Sequence, residues 1–212
     1  MEKLDTKQDL SAEPIVYVID DDKHMRDALL DLFMVTNRRA SAYSSGPEFM
    51  STADTTAPGC IVVDLRMPGG TGLDVQSQLI SLGSKMPVIF LTAHADVPAS
   101  VRAMKAGATD FLTKPFVTRD LLDAVDHAIR LDGERRKVET EREQIRTLVD
   151  KLTPREQQVM LGVVSGLMNK QVAYQLGISE MTVKLHRMSV MRKMQSRSIA
   201  DLVRKAEKLQ RN

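Results

Sequence analysis

Apolar residues recur in two rhythms along this 212-residue chain. In its first part, short unbroken runs rich in β-branched residues alternate with stretches in which apolar residues return every three or four positions. The runs lie at 15–19, 61–63, 88–91 and 109–112, with a weaker one near 40–43. Such runs predict strands buried on both faces of a parallel sheet. Helix-like stretches fall between them, near 23–34, 47–53, 72–81, 98–106 and 118–130. Five strand–helix units predict an α/β sandwich, (βα)5, rather than a closed barrel. In such sheets the functional site lies at the carboxyl ends of the strands.

Residues 131–151 are densely charged. Leu131, Val138, Ile145 and Leu152 recur every seven residues, but the companion positions Arg135 and Arg142 are charged. Half a heptad seam is weak support for a coiled coil, so the stretch reads as a solvated helix extending the fifth helix, with Gly133 as a candidate break. From Thr153 the pattern changes to short helices. Thr153-Pro-Arg-Glu156 offers a capping hydroxyl, a Pro at the first helical position and a Glu three residues after the cap. A second helix, 169–176, runs into Gly177; Ser179 caps a third, from 180 to about 194; a fourth spans roughly 198–209. Helix, tight turn with Gly, then helix is the arrangement of DNA-binding helix-turn-helix units.

Charge sharpens this division. Residues 1–126 hold 12 Lys and Arg against 18 Asp and Glu, and residues 153–212 hold 11 against 4. A basic tail behind an acidic front predicts two domains with different tasks, the second one touching nucleic acid. The single cysteine, Cys60, excludes an internal disulfide and a cysteine zinc cluster and fits a reducing cytoplasm. No apolar run approaches the ~18 residues a membrane span requires, and the polar first ten residues read as no secretory signal.

The chemistry-bearing residues of the first part gather at strand ends. Asp20, Asp21 and Asp22 follow the first strand, Asp64 ends the third, Thr92 the fourth, and Lys114 follows the fifth. Carboxylates crowded at one sheet edge need a cation, and oxygen-only ligands favour a hard ion, Mg2+. A hydroxyl and an ammonium beside them leave room for a phosphoryl group.

The motifs Val18-Ile-Asp-Asp-Asp22, Val63-Asp-Leu-Arg-Met-Pro-Gly69, Leu91-Thr-Ala-His-Ala-Asp-Val-Pro98 and Ala106-Gly-Ala-Thr-Asp-Phe-Leu-Thr-Lys-Pro-Phe116 resemble those of response-regulator receiver domains of the FixJ type. The resemblance covers 14–126 and implies a flavodoxin-like fold with strand order 2-1-3-4-5. It implies that Asp64 accepts the phosphate and that Asp21, Asp64 and the main-chain carbonyl of Arg66 bind Mg2+, with Asp20 acting through a metal-bound water. Lys114 would pair with the phosphoryl group, Thr92 would hydrogen-bond it, and Phe111 matches the aromatic switch position. One stretch departs from the family. Val35-Thr-Asn-Arg-Arg-Ala40 replaces the usual Gly-aromatic turn, which predicts a short or poorly ordered second strand.

Residues 150–209 resemble the LuxR-type helix-turn-helix domain through Leu152-Thr-Pro-Arg-Glu-Gln157, Gly166-Leu-Met-Asn-Lys170, Leu176-Gly-Ile-Ser179 and Thr182-Val-Lys-Leu-His-Arg187. Gln195 stands where a helix-ending Gly is common, so the end of the recognition helix is expected to differ slightly. Val183, Val190 and Met194 share a face that should pack inward, whereas Lys184, Met188 and Arg192 share another, with Leu185 beside them. The resemblance puts Lys184, Leu185 and Met188 at base-facing positions in the major groove, while Asn169, Lys170, Thr182 and Arg187 are placed for phosphates. His186 falls towards the packing side.

These readings divide the chain into a tail at 1–13, a receiver at 14–126, a helical linker at 127–151 and a four-helix DNA-binding domain at 152–212. They describe a cytoplasmic two-component transcription factor that is not an enzyme beyond Mg2+-dependent self-phosphorylation. A histidine kinase would phosphorylate Asp64, and the face near 101–111 would then form a homodimer on double-stranded promoter DNA, with RNA polymerase as a further candidate partner. Two other classes fit the residues less well. A Mg2+-dependent phosphatase of the haloacid-dehalogenase type needs a second acid two residues after its nucleophile, where this chain has Arg66. A scaffold whose helix-turn-helix no longer binds DNA conflicts with the basic recognition face.

Overall fold

The computed structural model describes residues 13–93 and 97–210. The expected tail, apart from Glu13, and the His94-Ala-Asp96 part of the fourth-strand motif lie outside the described residues. Contacts divide the chain into two compact units, and the division falls between Arg135 and Arg136.

The first unit is a five-stranded parallel sheet in the order β2-β1-β3-β6-β7. Its strands are β1 (Ile15–Ile19), β2 (Arg39–Tyr43), β3 (Gly59–Asp64), β6 (Val88–Thr92) and β7 (Asp110–Thr113). Its helices are α1 (Lys23–Val35), α2 (Gly46–Thr52), α3 (Gly72–Ser81), α4 (Val97–Lys105) and α5 (Thr118–Val149). This is the flavodoxin-like order; a two-stranded ribbon of β4 (Arg66–Met67) and β5 (Gly70–Thr71) after β3, which periodicity did not predict, displaces the strand numbers. The apolar strands serve two cores because successive side chains point to opposite faces. Ile15, Tyr17, Ile19, Ile61, Val63 and Phe90 pack with Phe49 of α2, Val75 and Leu79 of α3 and Ala103 of α4. Val16, Val18, Cys60, Val62, Ile89 and Leu91 pack with Leu29 and Phe33 of α1 and Leu121, Val125 and Ala128 of α5.

The fold departs from two expectations. β2 is neither short nor poorly ordered: its five residues pair in continuous register with β1, from Ile15 opposite Arg39 to Ile19 opposite Tyr43. Asn37 takes the left-handed conformation that the usual Gly would supply, with φ 55°. The turn around it closes through Arg38 N donating to Phe33 O at 2.8 Å and Asn37 N to Met34 O at 3.0 Å. Nor does Gly133 break the joint, for α5 continues without interruption to Val149.

The second unit contains α6 (Pro154–Val164), α7 (Asn169–Leu176), α8 (Glu180–Lys193) and α9 (Ile199–Gln210). Val159, Met160, Val163, Val172, Val183, Val190, Met194 and Leu202 form its core, joined by Ile145, Leu148 and Val149 from the last turns of α5. Lys208 of α9 also pairs with Glu141 of α5 at 2.7 Å. The heptad column therefore divides: Leu131 and Val138 are exposed, whereas Ile145 and Leu152 are buried.

Candidate functional site

The acidic groups meet where the parallel sheet sets the ends of β1 and β3 side by side, and β7, beyond β6, brings a lysine to the same edge. Asp20 follows β1 and is 1% exposed; Asp64 closes β3. Lys114, just past β7, donates to Asp20 Oδ2 at 2.7 Å and to Asp64 Oδ2 at 2.6 Å. The other oxygens are held by the backbone: Asp20 Oδ1 accepts from Asp22 N at 2.9 Å and Asp64 Oδ1 from Arg66 N at 3.0 Å. Arg26 of α1 donates to the Asp20 carbonyl at 2.7 Å, which fixes the loop after β1.

Electrostatics in this pocket oppose one another. Burial pushes the Asp20 carboxyl above its ordinary value, against the Lys114 hydrogen bond that lowers it, and the nearby Asp64 raises it further. Burial alone would lower Lys114, but hydrogen bonds and charge from Asp20 and Asp64 together hold its ammonium above the ordinary value. One ammonium thus serves two carboxylates, and Asp21 adds a third: oxygens of Asp20, Asp21 and Asp64 lie within 4.8 Å of one another. An all-oxygen, surplus-anionic set fits a hard divalent cation.

Thr92 ends β6 and is buried, and its carbonyl accepts from Lys114 N at 2.6 Å. Phe111 on β7 packs against the first core with its ring 6.4 Å from that of Phe90. Arg66 is exposed on the ribbon after β3. Gly72 opens α3 directly behind β3, where an added Cβ would lie 2.6 Å from Asp64 O. Sequence reasoning missed Gly72 and Arg26, because close approach across a sheet edge leaves no periodic trace.

In the second unit, Val183, Val190 and Met194 are buried and bind α8 to the core. Lys184, Leu185, Met188 and Arg192 face solvent. Lys184 lies 3.8 Å from Glu180 one turn earlier. Thr182 closes the first turn, its hydroxyl 2.8 Å from that of Ser179. Arg187 hydrogen-bonds Asn169, so these two candidate phosphate residues meet each other across α7 and α8; Lys170 is exposed beside them. His186 is half-buried.

The end of α8 does not depart as expected. Gln195 itself adopts φ 51°, Ser196 N donates to Met191 O at 2.9 Å, and Lys205 Nζ donates to the carbonyls of Met194 and Gln195. Glu156 has a role beyond its capping motif. Besides accepting from Thr153 N at 2.8 Å, it accepts from Lys193 Nζ and Ser189 Oγ of α8, both at 2.6 Å. The Lys193 ammonium, then the Ser189 hydroxyl and Thr153 amide, pull its carboxyl down to about 2.

Two family models match the chain. Residues 16–126 match the response regulator receiver domain, and residues 150–206 match the bacterial regulatory proteins of the luxR family. Nodulation protein W of Bradyrhizobium diazoefficiens is 46% identical over 199 residues, which span 94% of this chain and 88% of that protein. Transcriptional regulatory protein FixJ of Azorhizobium caulinodans is 40% identical over 191 residues, 90% of each chain. Among solved structures, response regulator StyR aligns with a TM-score of 0.84 at 43% identity, across 93% of this chain and 100% of that one.

Proposed function

The chain belongs to the response regulators that join a receiver domain to a LuxR-family DNA-binding domain, and from that membership we propose a role for each group in the acidic pocket. It is a transcriptional regulator of a two-component system, with a phosphodonor such as a histidine kinase on one side and DNA on the other.

Asp64 is the phosphate acceptor. The observation that carries this is the Lys114 ammonium bridging Asp64 and Asp20 across the carboxyl ends of the strands. An Asp64 oxygen attacks the phosphorus of the donor and forms a mixed anhydride as the donor's leaving group departs. The Lys114 ammonium moves from Asp64 onto the incoming phosphoryl oxygens, and the Thr92 hydroxyl hydrogen-bonds one of them. Asp20, Asp21, Asp64 and the main-chain carbonyl of Arg66 would hold Mg2+, which supplies the charge neutralisation that phosphoryl transfer needs. The chain assists its own phosphorylation and turns over no separate substrate.

Phosphorylation shifts a pre-existing equilibrium towards an arrangement in which Phe111 turns inward as Thr92 moves towards the phosphoryl group. The face carrying Val101 and Met104, both nearly half exposed, then pairs two copies, and two α8 helices enter successive major grooves of promoter DNA. Lys184, Leu185 and Met188 face bases, with Arg192 on the same side of α8; Asn169, Lys170, Thr182 and Arg187 approach phosphates; RNA polymerase is engaged downstream, in the cytoplasm. Among the described residues, no helix is long and apolar enough to cross a membrane. Incubation with Mg2+ and a small phosphodonor, followed by intact-mass measurement, should add one phosphate to the protein and none to Asp64→Asn. Equal labelling of the variant would refute the assignment.

A further inference from the structure

The recognition helix carries two apolar faces, and the core uses only one. Met181, Leu185 and Met188 stand 65%, 58% and 70% exposed. Their spacing, i, i+4 and i+7, sets them in one stripe on a helix of 3.6 residues per turn, and Arg192 continues it one turn further. Val183, Val190 and Met194 lie on the opposite side, buried in the core. Three large apolar side chains in a row on a helix in a basic unit are an unfavourable surface in water, which points to an occupant.

We propose that this stripe reads thymine methyl groups, so that the DNA selected by the chain carries a run of A·T pairs where α8 crosses the major groove. The proposal rests on the groove placement of α8 given above. Leu and Met side chains offer no donor to a base edge, and the apolar group displayed in the major groove is the C5-methyl of thymine. From Met181 to Met188 the helix advances about 10.5 Å, close to three base-pair steps of ~3.4 Å. Charge chooses DNA over a protein partner. Lys184 flanks the stripe, Arg192 ends it, and residues 153–212 hold 11 basic against 4 acidic groups, the complement of a phosphate-lined groove. The flexible Met side chains at both ends suit methyl groups displayed at slightly different heights.

The test uses the full-length protein loaded with beryllofluoride and Mg2+. Selection from a random duplex library should enrich half-sites with about three adjacent A·T pairs. In the strongest selected duplex, replacing dT by deoxyuridine removes the methyl and nothing else. Each replacement within the run should weaken binding about fourfold. Leu185→Gln and Met188→Gln, checked for unchanged helix content, should lose this discrimination while keeping the salt dependence that phosphate contacts set. A deoxyuridine duplex bound within about twofold of its parent, where about fourfold per methyl is expected, would overturn the inference and leave DNA binding intact. Unaltered DNA affinity of Leu185→Gln, with transcription by purified RNA polymerase lost, would assign the stripe to a protein and also overturn it. Failure to enrich any sequence would remove the groove placement itself.

Discussion

Glu156→Gln tests whether the carboxylate under the recognition helix is a stabilising element of the DNA-binding unit. The substitution keeps the side chain's length and its ability to accept from Thr153 N, but removes the charge that Lys193 and Ser189 face at 2.6 Å. The carboxyl lies at about 2 in the folded chain against an ordinary 4.5. That difference, at ~1.36 kcal/mol per pKa unit, bounds the effect at roughly 3 kcal/mol. Glu156 is 5% exposed but its partner Lys193 is 28% exposed at the side chain, so screening brings the expectation to about 2 kcal/mol. The unfolded chain binds the proton more tightly than the folded one. The stabilisation is therefore whole above roughly pH 5, declines as pH falls through 4.5 towards 2, and is gone below that. Pulse-labelling hydrogen exchange along a urea titration, read on peptides of α6 and α8, isolates this unit within the full chain. Wild type should exceed Glu156→Gln by about 2 kcal/mol at pH 7, and the two should converge as pH approaches 2. A gap below about 0.5 kcal/mol at neutral pH, or one that does not change on acidification, would refute the reasoning.

Gln195→Gly should stabilise the second unit by about 0.5–1 kcal/mol, since a residue with a Cβ now occupies a left-handed position; thermal unfolding checks it. Gly72→Ala forces a Cβ against the Asp64 carbonyl, and should cost about 1–3 kcal/mol in urea unfolding and slow labelling of Asp64 by a small phosphodonor. Met104→Glu on the exposed face of α4 should leave labelling unchanged but prevent the mass increase that sedimentation reports with beryllofluoride; retained dimerisation would exclude that face.

Sequence by itself determined the central strands of the main sheet and the gathering of acidic groups at their ends. A strand buried on both faces must be apolar at nearly every position, so β1, β3 and β6 stand out as continuous runs, and their following residues fall at one sheet edge. The helix-turn-helix was equally legible, because Thr153, Ser179 and Gly177 mark ends whose backbone groups need local partners. What only the tertiary structure decided depends on groups far apart in the chain. Strand order puts Lys114 at the acidic edge, but its ammonium's hydrogen bonds to Asp20, 94 residues away, and to Asp64, 50 away, are encoded by no local spacing. β2 forms from Arg39-Ala-Ser-Ala-Tyr43 because β1 offers it a complete ladder, despite a polar approach through Asn37. Within one heptad column, Ile145 is buried and Val138 exposed because only the last turns of α5 have the second unit's core to pack against. Periodicity says which residues share a face; burial follows from what that face meets.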